Sequence, residues 1–463
     1  MSMSYAMPMS HATGSFVQLL FSAFERAAIR YCVLHGWEEL PEKVSSDLDL
    51  VIHPEDLAKL QVVFSELAKV GYKWIQCRNY AGRSYRFDFA WFEGKKLRVV
   101  GVDCISEYRY AGLILRSGED LLKDRRQHNG FWIASAEAVF AYMLTKKSLK
   151  AEISAGQLQE LQQVSAEIGI GRSLAIASDL FGVESGALVV AAIADRTLPA
   201  MLPKLCGQLK RTILKRHPWS FVRSQADEQM RLVKRWFQPT GLFLIALGPD
   251  GAGKSTVLAK VVENLKPAFR GIHSFHYRAK FGVTSNVPVT NPHAKPPRGP
   301  ILSVIRVLLL FFQFWFSYLV LVRPKLGRSG LVIFDRYFHD LLVDHRRYRY
   351  SGPQWLLQLL LKLSPGTGLV LILDADESVI YSRKQEVSVE LLKELRRGYK
   401  QLALNKTNAA VICSDQDIED TTMAATEVVY QYLLARCNLR YPQWTQGYEA
   451  NPVTKVVSLG RAS

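Results

Sequence analysis

Apolar residues recur along this chain at two different periods, and the changes of period divide it into stretches. From Phe16 to Lys150 helical and strand patterns mix. VQLLFSAFERAAI and EDLAKLQVVFSELAKVG repeat their apolar residues at helical spacing, and the second ends on Gly71, a natural C-cap. YCVLHG, DLDLVI, YRFDFAWF and LRVVGVDCI read as strands, so residues 16–150 form a predicted α+β domain. Residues 151–238 read as a helical connector that grows basic through KLCGQLKRTILKRHPWSFVRSQ and MRLVKRWFQPTG. That shift of composition sets a boundary near Pro239. From 239 to 437 apolar runs such as GLFLIALG, LVIFD and GLVLILD alternate with helical segments. Such runs predict an α/β domain, a parallel sheet flanked by helices on both faces. Residues 438–463 lack periodicity and are expected to be an irregular tail.

Length and composition agree with this division. At 463 residues, with 48% hydrophobic and 22% charged, the chain has material for two or three packed domains. The net charge of +17 fits either a solvated basic surface or anionic partners. Nucleic acid is the weaker choice of partner, because no basic motif interleaved with aromatics is found. Six scattered cysteines form no C-x-x-C pair and read as reduced thiols of a cytoplasmic protein. The first residues, MSMSYAMPMSHATGS, lack the pattern of a secretory signal.

The sharpest chemistry lies in GLFLIALGPDGAGKST, where Gly248 to Ser255 fit G-x-x-x-x-G-K-S/T. A buried strand delivers a tight turn in which Gly248, Gly251 and Gly253, with Asp250 and Ala252 between them, let backbone N–H groups approach phosphate oxygens. The helix that follows adds the positive end of its dipole. Lys254 brings a full charge to the terminal phosphates of ATP, Ser255 a hydroxyl to Mg2+, and Thr256 sits just inside the helix. LVIFDRYFHD places Asp335 at the carboxyl end of another strand, suited to the metal, with Arg336 beside it for a phosphate. After the strand ending at Asp374, Arg383, Lys384, Arg396 and Arg397 are candidates to close over the transferred group.

GPDGAGKST, the Asp335–Tyr337 DRY and the RKQE segment together resemble the thymidylate kinase family, over roughly Gly241 to Cys437. The resemblance implies an ATP- and Mg2+-dependent kinase whose DR pair lies near the acceptor phosphate and whose lid supplies arginine. Gly251 stands where some members carry an arginine, which shifts that role to Arg383 or its neighbours. HYRAKF offers Arg278 as a contact to a nucleoside monophosphate. No thymine-pocket pattern is found in the Pro-rich stretch between Lys280 and Arg298, so the acceptor is left as dTMP or a sugar- or glycan-type molecule. The arrangement also resembles thymidylate-kinase-like proteins associated with bacterial surface-polysaccharide pathways.

ILSVIRVLLLFFQFWFSYLVLV, residues 301–322, is long enough to cross a bilayer, which takes about 20 apolar residues. A single crossing would put Lys254 and Asp335 on opposite sides. The expected placement is burial between the sheet and a partner domain or subunit, which allows a homodimer. The other reading is peripheral contact with a membrane surface, helped by Arg323, Lys325 and Arg328.

In DLDLVI, Asp47 and Asp49 project from one face of a strand. Two carboxylates about 4 Å apart repel by roughly 4 kcal/mol at an effective dielectric of 20, so a cation between them is expected. With Asp103 in VVGVDCI they make a candidate metal set. Together with Gly36 this pattern resembles polymerase-beta-type nucleotidyltransferases, although Trp37 replaces the small residue of that family's motif. The resemblance implies a nucleotidyltransferase-like fold for residues 16–150 and leaves its catalysis open. A bifunctional nucleotidyltransferase-kinase, or a nucleotide-gated protein that binds membrane or nucleic acid, is the competing function.

Overall fold

The computed structural model describes residues 13–44, 47–80, 83–110, 113–216, 218–276, 296–366, 368–385 and 387–445. They fall into two compact units, drawn from positions 1–89, 100–231 and 443–447 and from positions 90–99, 232–442 and 448–463.

The first unit is built on strands β1 (Tyr31–Val33), β2 (Asp47–Ile52), β3 (Lys73–Asn79), β4 (Ser84–Glu93), β5 (Lys96–Ile105), β6 (Glu107–Tyr110), β7 (Leu113–Ser117), β8 (Arg126–His128) and β9 (Phe131–Ile133). Seven of them form a mixed sheet ordered β3-β4-β5-β2-β1-β9-β8, while β6 and β7 form a separate ribbon. Alternation works as the sequence predicts in β2, where Leu48 and Leu50 are buried and Asp47 and Asp49 share the other face. Helix Thr13–Arg26 contributes Phe16, Leu20 and Phe24 to the interior. Helices Ala136–Lys150, Ala155–Ile168, Ile170–Phe181, Val183–Ala194 and Leu198–Arg216 follow. Phe140, Leu161, Val189 and Leu202 from these helices share one core with Cys32 and Val51 of the sheet. Ser154 starts the second of these helices with a capping box, exchanging hydrogen bonds with Gln157.

The second unit holds β10 (Leu242–Leu247), β11 (Ile272–His276), β12 (Leu331–Asp335), β13 (Leu369–Asp374) and β14 (Ala409–Cys413). All pair in parallel, in the order β11-β12-β10-β13-β14. Every residue of β10 and β13 is buried, as expected of strands covered on both faces. Register sets Ala246 of β10 opposite Asp335 of β12, so the ends of both strands reach the same sheet edge. The last helix, Ile418–Arg440, continues three residues past the predicted start of the tail, and a short 3-10 turn follows at Pro442–Trp444.

The apolar segment is buried on one face. It forms a continuous 28-residue helical rod, Pro300–Gly327, with a π-helical turn at Tyr318–Val322. Its inner face, Val307, Phe311, Phe314, Val322 and Leu326, packs into the core of this unit. Among the described residues its outer face is left uncovered: Ile301, Leu309, Phe312 and Phe316 are 77%, 65%, 63% and 57% exposed. All-round apolar composition conceals this asymmetry, because no polar face marks the outward side.

Candidate functional site

The Gly248–Ser255 loop leaves the central strand β10 and feeds helix Lys254–Leu265. Gly248 takes φ +136, and a Cβ there would lie 2.3 Å from the Leu373 carbonyl oxygen, so only glycine fits. Gly251 and Gly253 also take positive φ, and Ala252 is fully buried beneath the turn. Ser255 and Thr256 begin the helix with exposed side chains. Lys254 is buried and folded over its own loop, with Nζ donating to the carbonyls of Gly248 (2.9 Å) and Pro249 (2.7 Å). Burial, and then the positive charge of Arg336, pulls its pKa down to about 8.

Ser255 Oγ donates to Asp335 Oδ2 at 3.0 Å, joining the loop to the end of β12. Burial works to raise the Asp335 pKa, but His276, Lys254 and Ser255 hold it below the usual carboxylate range. Its Oδ1 is buried without a hydrogen bond. An ionised carboxylate with one oxygen free, next to a hydroxyl, is an all-oxygen donor set suited to a hard cation such as Mg2+.

Arg336 does not project into open space. It takes φ +72, its side chain is buried, and it donates to Asp340 Oδ2 (2.6 Å) and to Asp250 Oδ1. Arg347 donates to the other Asp250 oxygen at 2.6 Å. Tyr348 (2.7 Å) and Tyr399 complete the shell of the fully buried Asp340 through their hydroxyls. Burial works to raise the Asp250 pKa, yet Arg336, Lys254 and Arg347 hold it far below the ordinary value. A narrow cleft opens beside this network, lined by Asp250, Arg336, Asp344, Arg347, Lys384 and Tyr399 among others. Asp340, Arg347 and Tyr399 escaped the sequence reading. Only Asp340 left a trace there, one helical turn beyond Arg336 in DRYFHD.

Arg383 ends helix Glu377–Arg383, exposed, with Nη1 3.5 Å from the Ser414 carbonyl. That helix passes beside the loop: a Cβ on Gly251 would meet the Ile380 carbonyl oxygen at 3.1 Å. Arg396 is bound to the sheet end through Asp374 (2.6 and 3.0 Å) and Glu377 (2.6 Å), which sets it apart from the lid role expected of it. Arg278 lies outside the described residues.

In the first unit, register places Asp49 opposite Asp103 on parallel strands β2 and β5. Arg86 of β4 enters the cluster. Its guanidinium donates to both oxygens of Asp47 and, at 3.3 Å, to Asp103, while its Nε donates to the buried Asp88 at 3.0 Å. His35 Nε2 lies 3.5 Å from Asp49 Oδ2. Burial raises the Asp103 pKa to about 6 despite Arg86. Among the described residues no group of three or more His, Cys, Asp or Glu side chains is arranged to hold a metal ion. The metal role expected of Asp47, Asp49 and Asp103 therefore meets a cation built into the protein, and these residues do not fit a two-metal centre.

Gly101 makes room for that cation, since a Cβ there would lie 2.2 Å from Arg86 Nη2 and 2.7 Å from Asp47 Oδ1. Gly101→Ala should expel the guanidinium and lower stability by about 1–3 kcal/mol. Thermal denaturation checks this, and an unchanged midpoint would show that the pair is not held by close packing.

No protein-family model matches the chain. Thymidylate kinases of Idiomarina loihiensis and Vibrio campbellii are each 25% identical to it, over 209 and 218 residues, covering 42% of this chain and 99% and 98% of the relative. The thymidylate kinase of Ruegeria pomeroyi is 27% identical over 216 residues. Among solved structures, thymidylate kinases from Ehrlichia chaffeensis and Candida albicans each align over 41% of the chain with TM-score 0.31, at 19% and 17% identity, covering 98% and 91% of those chains. Over about 42% of its length, at low identity, the chain is homologous to thymidylate kinases.

Proposed function

We propose that the second unit is an ATP-dependent nucleotide kinase that transfers the γ-phosphoryl group to a nucleoside monophosphate, with dTMP the first candidate. The observation that carries this reading is the Ser255–Asp335 hydrogen bond, which brings a phosphate-type loop and a strand-end carboxylate to one point. Similarity to proteins named thymidylate kinase directs the choice of acceptor.

In this reading the N–H groups of the Gly248–Ser255 loop cradle the donor phosphates. Lys254 exchanges its two loop carbonyls for phosphate oxygens, a substitution that restores full charge to its amine. Mg2+, held by Ser255 and Asp335, would neutralise charge on the β- and γ-phosphates. Arg347 and Arg336 fix Asp250 at the cleft, which Lys384 also lines, and Arg383 next to it is the candidate to meet the transferred group. Rate enhancement then comes from positioning and preorganised charge, because phosphoryl transfer requires little covalent chemistry of the protein. A nucleotidyltransferase role for residues 16–150 rests on the pattern of Asp47, Asp49 and Asp103 alone, and the Arg86 clasp weighs against it.

ADP formation from Mg-ATP, measured over dTMP, other nucleoside monophosphates and sugars, tests the reading. Stimulation by dTMP is expected. Stimulation by sugars alone would move the enzyme to glycan phosphorylation, and none by any acceptor would refute a kinase of small molecules.

A further inference from the structure

Two helices of the second unit present apolar side chains to solvent. Besides Ile301, Leu309, Phe312 and Phe316, the helix Gln354–Lys362 exposes Trp355 (64%). Trp315 Nε1 donates to the Leu363 carbonyl at 3.0 Å, which fastens the end of this second helix to the apolar rod. Exposed apolar side chains in such number on one rod mark an interaction surface.

The sequence on either side of the rod carries charges of one sign. From Asn264 to Phe334 the sequence holds ten Lys and Arg residues and no Asp or Glu, and from His345 to Leu373 there is again no acidic residue. Arg298 donates its backbone N–H to the Arg349 carbonyl at 3.1 Å just before the rod begins. Arg306 is exposed within the apolar face itself, and Arg323, Lys325 and Arg328 mark the far end. Burial and the like charges of Arg306 and Arg349 lower the Arg298 pKa, so these three guanidinium groups share one neighbourhood.

We propose that the outward face of the 300–327 rod docks on an anionic membrane surface. Phe312, Phe316 and Leu309 would enter the acyl boundary, while Arg306 and the basic ends reach lipid phosphates. A second copy of the chain is the poorer match. A dimer contact through this face would bury Arg306 with no carboxylate on either helix to neutralise it. Crossing the bilayer is excluded by the fold, because the inner face of the rod packs on the sheet and Asp335 is hydrogen-bonded to Ser255.

Co-sedimentation of the full chain with phosphatidylcholine vesicles, and with equimolar phosphatidylcholine–phosphatidylglycerol vesicles, tests this inference. Binding to the anionic vesicles alone is expected, weakening as salt rises. The double variant Leu309→Glu/Phe312→Glu should bind them at least about tenfold less. Unchanged circular dichroism and unchanged ADP formation would show that it folds. Binding to neither vesicle, equal binding to both, or a salt-insensitive dimer that the double variant dissociates would each overturn the proposal.

Discussion

Lys254→Ala is expected to lower phosphoryl transfer by about 10²–10³-fold, the usual effect of deleting one preorganised donor to developing charge. The same substitution should leave the unliganded fold intact, because the amine is buried and neutralised by no fully formed ion pair: Asp250 is 3.6 Å away and committed to Arg336 and Arg347. Activity and stability thus separate at this position. The pH dependence gives a second readout. Lys254 falls from 10.5 to about 8 in the folded chain. Between those values the unfolded chain keeps a proton that the folded chain has shed, so its share of stability rises with pH across that window. Removing the lysine abolishes that slope. Phosphate binding should raise the lysine pKa again, so nucleotide binding near pH 8 takes up a proton. Titration calorimetry in buffers of different ionisation enthalpy measures that uptake, and its absence would place the donor phosphates elsewhere.

Asp340→Ala should be the most destabilising single change in the second unit. It removes the acceptor of Arg336, Tyr348 and Tyr399 from a position with no solvent access and leaves the Arg336 charge buried. Breaking one partner of a buried ion pair costs about 3–5 kcal/mol. Urea unfolding measures it, and Asp340→Asn, which keeps the shape and one acceptor oxygen, should recover part of the loss. Because Arg336 also fixes Asp250, the folded fraction of Asp340→Ala should turn over slowly as well. A variant with wild-type stability would mean that Asp250 alone, or water, satisfies Arg336.

The parts of this site that were legible in the sequence are those whose constraints are local. Strand, glycine turn, lysine and helix follow one another within two dozen residues, so the loop could be read before any fold was known. Asp335 was legible because an apolar run ends on it. The clasp on Asp250 was not, since Arg336 and Arg347 lie 86 and 97 positions away and only the folded sheet edge joins them. Arg86 was hidden from the Asp47 reading in the same way, at a separation of 39 residues on another strand. Arg396 shows the opposite failure. A charged helix reads as available, and only the structure shows its guanidinium bound to Asp374 and Glu377. Four of the seven strands in the first unit's sheet were read from the sequence, while β3, β8 and β9 were missed, and neighbour order depends on non-local pairing that alternation does not encode.

The pairing of Ala246 with Asp335 has an evolutionary consequence. The donor end of this unit is aligned by main-chain ladder bonds, which side-chain replacement does not move. Side chains around the ladder can therefore drift while the loop and Asp335 stay opposed, so chains sharing this sheet can diverge without rebuilding that edge.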